Sequence, residues 1–67
     1  MQTEKLVRTA NQIASYFAAY PEERARQEVL GHIKAFWDPR MRAELADYAK
    51  EGGDGLHPLV RWAAERL

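Results

Sequence analysis

Two histidines, a single serine and no cysteine are what this chain offers for catalysis. Histidine is the side chain best suited to proton transfer and metal binding near neutral pH. His32 lies in a helical pattern with Phe36 at the i+4 position, so it lacks the second histidine or carboxylate of a helical metal pair. It reads as a boundary histidine. His57 precedes Pro58 and falls where a helix N-cap is expected, so its natural role is to hydrogen-bond the first turn. Ser15 sits inside a helical stretch with no base beside it, which rules out an arguable Ser–His–Asp set. The missing cysteines exclude disulfides, thiol nucleophiles and thiolate metal sites. Two histidines are also too few for an ordinary structural zinc site.

The remaining candidates have structural explanations. The run Gly52-Gly53-Asp54-Gly55 is glycine-rich, but it follows no strand, lacks a Gly-Lys-Ser/Thr ending and carries Asp54, which repels phosphate. It reads as a helix terminator and a flexible loop. Glu51 and Asp54 do not have the spacing of a calcium-binding loop. Glu22-Glu23 fit a solvated first turn, and Glu22–Arg26 an exposed i,i+4 pair, better than an acid/base site.

What stands out is the stretch Phe36-Trp37-Asp38-Pro39-Arg40-Met41-Arg42. Asp38 is placed to cap a helix and Pro39 to occupy its first position. Around this bend and near the end of the chain lie Trp37, Arg40, Arg42, Arg61 and Trp62, residue types enriched where proteins bind one another. Tryptophans are hard to bury completely in so small a chain, because each is large and its indole N–H needs a partner. For Trp37 a core position and an interface position are both open; Trp62 leans towards the interface. The arginines suit bidentate links to a partner's carboxylates.

Four helices must position these residues. The first spans about 3–19: Thr3 is placed as its cap, and Leu6, Ala10, Ile13, Phe17 and Tyr20 form one apolar stripe, broadened by Val7 and Ala14. Tyr20-Pro21 ends it, because a residue before proline avoids the helical region. Pro21 opens a second helix over 21–36, with Ala25, Val29, Ile33 and Phe36 inward, Leu30 and Trp37 widening the stripe, and Gly31 allowing close helix approach, a kink being the other reading. The third spans 39–51 with Met41, Leu45 and Tyr48 inward. The fourth spans 58–67, with Leu59 or Val60, Ala63 and Leu67 inward, and must dock to persist. No period-two alternation marks a strand. The expected fold is all-α, a small bundle of four short helices forming one domain over residues 1–67.

At 67 residues, the chain buries only about 60% of its unfolded surface, so its core is thin. Ten basic residues balance ten acidic ones. A net charge of zero argues against nucleic acid as a partner, since phosphate neutralisation supplies most of that affinity. No run approaches the roughly 18 apolar residues of a membrane span, and Met1-Gln2-Thr3-Glu4-Lys5 lacks the apolar core of a signal peptide. The expected setting is the cytoplasm, with no membrane partner.

The segments Lys5-Leu6-Val7-Arg8 and Ala10-Asn11-Gln12-Ile13-Ala14, the corner Phe36 to Arg42, and the ending Gly52-Gly53-Asp54-Gly55-Leu56-His57-Pro58-Leu59-Val60 together resemble the delta subunit of soluble NAD-dependent, molybdenum-containing formate dehydrogenases. The likeness runs in order along nearly the whole chain; it departs at His57, where the family pattern has aspartate. The resemblance implies a non-catalytic accessory subunit, with no cofactor in this chain, of a complex that oxidises formate with NAD⁺. In such a complex the chemistry belongs to a large subunit, with its molybdopterin centre and iron–sulfur clusters, and to a flavin-bearing partner. The implied role is support of assembly, stability or cofactor maturation; the missing catalytic set and the cluster of Trp37, Arg40 and Arg42 at one bend add the expectation of docking on the large catalytic subunit through the corner and nearby helix faces. Two alternatives of another kind are a helical nucleic-acid-binding module using Lys34, Arg40 and Arg42, and a self-associating unit that forms a homo-oligomer when isolated.

Overall fold

Strict steps of four place the core. In a computed structural model describing residues 3–67, α1 (Thr3–Phe17) buries Leu6, Ala10 and Ala14, and α2 (Glu22–Phe36) buries Ala25, Val29 and Ile33. Rows at i±4 are the ridges that helices most often interlock, and the alanines let the ridges approach. α3 (Pro39–Lys50) contributes Leu45. The shortest helix, α4 (Pro58–Ala64), is the most deeply set: Leu59, Val60, Ala63 and Ala64 are all buried. It packs chiefly against α2. Seven residues cannot sustain a helix alone, so this burial is what holds α4 in shape. Among the described residues there are four helices and no strand.

The helix ends differ in detail from the sequence expectation. Thr3 is itself helical, within α1, and not its cap; residues 1 and 2 lie outside the described residues. α1 closes at Phe17 in a turn, with the Tyr20 N–H donating to the Phe17 carbonyl at 3.0 Å, so Tyr20 falls outside the helix and off its stripe. Pro21 precedes α2 as its N-cap, with an extended backbone (φ −52°, ψ 144°), while Ala25 N–H donates to its carbonyl at 2.9 Å. α4 ends at Ala64 and not at residue 67.

Gly31 does not serve close packing. A Cβ built there meets no atom within 4 Å, so the glycine lies on the outer face of α2 and the close-approach expectation is overturned. The glycine loop, in turn, is held by hydrogen bonds at several points. Gly52 and Gly53, both at positive φ, donate to the Ala49 and Tyr48 carbonyls at 3.2 and 3.0 Å. This paired 5→2 and 6→1 arrangement satisfies the orphan carbonyls at the end of α3 and requires backbone angles that glycine adopts without strain. The Tyr48 hydroxyl then donates to the Asp54 carbonyl at 2.5 Å.

Candidate functional site

The corner is built as its sequence suggests. Asp38 takes an extended backbone and its Oδ1 accepts the Met41 N–H at 2.8 Å, with Pro39 at the first helical position. Trp37 closes α2: its N–H donates to the Ile33 carbonyl at 2.9 Å and its backbone turns extended (φ −93°, ψ 138°). That turn sends the indole inward, and Trp37 is 6% exposed. It extends the buried row Ala25, Val29, Ile33 by one more step of four. Phe36, one residue earlier and still helical, is 75% exposed. Of the two readings open for Trp37 the structure has the core one, and Phe36 is the aromatic of the corner that faces out.

The arginines part company. Arg40 is exposed at the start of α3, and Arg42 is half-buried. Arg42 and Lys34 line one groove of about 280 Å³ whose other walls are Pro39, Ala43 and Leu67. Among the described residues the one ion pair is Arg26–Glu22, at 3.1 Å on α2, so neither groove cation pairs with a carboxylate. Arg61 does something else. Its Nη1 and Nη2 donate to the Gly52 and Gly53 carbonyls at 3.0 and 2.9 Å, clamping the loop after α3. These two bonds tie the guanidinium to its own chain, while Arg61 itself is exposed. Trp62 is half-buried, with the Arg66 guanidinium 3.9 Å and the Arg26 guanidinium 5.6 Å from its ring centroid. It is held under two cations at the far end of the chain from the corner residues in sequence, and no distance joins it to them.

Sequence reasoning missed a second feature, an aromatic strip across α1 and α2. Tyr16 is 72% exposed and packs edge-on against Phe17, with ring centroids 5.0 Å apart. Phe17 meets His32 at 6.3 Å, and His32 meets Phe36 at 4.7 Å. Tyr20 stacks on Phe17 at 5.9 Å. Beside this strip runs a groove of about 430 Å³ lined by Thr9, Gln12, Ile13, Tyr16, Phe17 and His32, none of which is an acid, a lysine or an arginine. The signal was present in the spacing: Tyr16 falls two positions from Ala14, off the buried row, and His32 and Phe36 are one turn apart.

The histidines have local roles. His32 belongs to the strip. His57 Nδ1 accepts the Leu59 N–H at 3.1 Å and so caps α4, as its position before Pro58 suggests. Among the described residues, no group of three or more histidine, cysteine, aspartate or glutamate side chains is arranged to hold a metal ion, and no helix is long and apolar enough to cross a membrane.

Residues 5–64 match the family of NADH-dependent formate dehydrogenase delta subunits, FdsD. No curated protein and no solved structure matches the chain. The match covers almost all of its length, and the chain belongs to this delta subunit family.

Proposed function

We propose that this formate dehydrogenase delta subunit is a non-catalytic accessory protein, without a cofactor of its own, that works in the cytoplasm. It docks on the large molybdenum-bearing catalytic subunit and supports assembly, stability or cofactor maturation of the complex. The observation that carries the reading is the exposed Phe36, joined through His32 and Phe17 to the exposed Tyr16. Contiguous exposed aromatic surface is what a protein–protein interface buries at its centre, where it excludes water. His57, the glycine loop and the Glu22–Arg26 pair do not compete with it, because each has a structural task.

The test is capture of partners by the tagged, full-length chain from cells that express the whole complex. Recovery of the large catalytic subunit at a fixed ratio is the expected result. Recovery of the flavin-bearing subunit without the large one, or of neither, contradicts the reading. The same exposed strip favours a second behaviour in isolation, association with another copy of itself, because a chain with no net charge has little self-repulsion. Sedimentation over a dilution series checks it, with a constant monomer mass as the contrary result.

A further inference from the structure

We infer that the partner segment seated at the corner is acidic: a side-chain carboxylate of the large subunit enters the groove between Lys34 and Arg42. This rests on the docking reading above and adds the chemistry of the occupant. Three observations carry it. First, the chain as a whole is neutral, yet the corner is not. Lys34, Arg40 and Arg42 all fall within positions 34–42, where Asp38 is the one acid, and its Oδ1 accepts the Met41 N–H as a cap. Second, neither groove cation has an acidic partner among the described residues, although the chain has as many acids as bases. Arg26, by contrast, pairs with Glu22, Arg61 is spent on two carbonyls, and Arg24 and Arg66 lie over aromatic rings. Third, Pro39, Ala43 and Leu67 line the same groove as the two cations.

That combination selects among anions. A glutamate or aspartate on a partner's chain brings methylene groups for the apolar walls and one charge for the two cations. A polyphosphate brings several charges and no apolar surface. A guanidinium also matches a planar carboxylate with two parallel hydrogen bonds. Buried charge pairs of this kind set register and orientation, and they weaken when salt screens them.

The experiment uses the assembled complex, purified through a tag on the large subunit, and measures how much delta chain is retained at about 50 mM and about 500 mM NaCl, a range over which the Debye length falls severalfold. Wild type, Lys34→Glu/Arg42→Glu, Lys34→Gln/Arg42→Gln and Phe36→Ala are compared, each checked for helical content by circular dichroism. An acidic occupant predicts about tenfold or greater loss of retention for the Glu pair at low salt. It predicts a smaller loss for the Gln pair, with the salt dependence of wild type abolished in it. Salt-independent wild-type retention together with full retention of the Glu pair overturns the acidic occupant; if Phe36→Ala still releases the chain, docking itself stands. Full retention of all three variants overturns both. Release of wild type by nuclease treatment assigns the groove to nucleic acid and also overturns the inference.

Discussion

The Asn11 side chain on α1 accepts the His57 backbone N–H at 2.9 Å, across forty-six positions of sequence. Its Nδ2 donates at the same time to the Gly55 carbonyl, also at 2.9 Å. One amide thus holds both sides of the turn that launches α4, and His57, so placed, caps α4 with its imidazole. Because α4 is only seven residues long, its position depends on this entry as well as on its buried face. The loop is tied to α1 by Asn11, to α3 by Tyr48 and to α4 by Arg61.

Asn11→Ala removes the donor and the acceptor together and leaves a half-buried N–H without its partner. The expected cost is about 1–3 kcal/mol. Asn11→Asp keeps the acceptor for His57 but sets a carboxylate against the Gly55 carbonyl, and falls between. Urea unfolding followed by circular dichroism measures both; an Asn11→Ala midpoint equal to wild type contradicts the role of this amide.

Adjacent aromatics at the corner should respond in opposite ways. Trp37→Ala empties a core position at a cost of about 3–5 kcal/mol, comparable with the whole stability of a small domain. Phe36→Ala removes an exposed ring and should leave stability within about 0.5 kcal/mol of wild type. Thermal melts of the two variants decide the matter, and a Phe36→Ala melt as low as that of Trp37→Ala would show that the assignment of inside and outside is reversed.

Gly31 lies in the middle of α2 with open space around its missing side chain. Gly31→Ala therefore gains helix propensity without a clash, worth about 0.5–1 kcal/mol. That is a rise in Tm of roughly 2–8 °C for a chain this size. An unchanged or lowered Tm would mean that the glycine has a packing role in the folded chain. Gly31 also borders the groove shared with His32 and Phe36, so weaker retention of this more stable variant on the complex would mark the glycine as the point of closest approach to the partner.

At position 57 histidine acts as a helix cap through Nδ1. His57→Ala should cost about 0.5–2 kcal/mol, and His57→Asp, which offers a carboxylate to the same N–H, should melt close to wild type. Equal melts for all three would show that the cap contributes nothing and that Asn11 alone holds the turn.

Much of this fold was legible in the sequence because helix signals here are local. Asp38-Pro39 and His57-Pro58 mark starts, Gly52-Gly53 marks a stop, and Tyr20-Pro21 separates α1 from α2. What was not legible depended on where a helix ends to within one residue. Phe36 and Trp37 lie three and four positions after Ile33, and either spacing suits an inward side chain. The extended backbone of Trp37 decided it. Gly31 was misread for a related reason: helical periodicity assigns a face, and a glycine carries no side chain to show whether that face is covered. Arg61 reads as an interface residue by type, but the carbonyls it binds exist only once the glycine turn has formed. The Tyr16–Phe17–His32–Phe36 strip joins residues of two helices, and pairing across α1 and α2 is a tertiary fact.

The central claim is that the delta subunit docks through the outward face of its corner. The measurement that bears on it most directly is the stoichiometry of the purified complex, delta chain per large subunit, for Phe36→Ala/Arg40→Glu against wild type, with both delta chains shown to be folded by circular dichroism. Loss of the delta chain from the complex, with its helical content intact, is the predicted result. A folded double variant retained at the wild-type ratio would contradict the account.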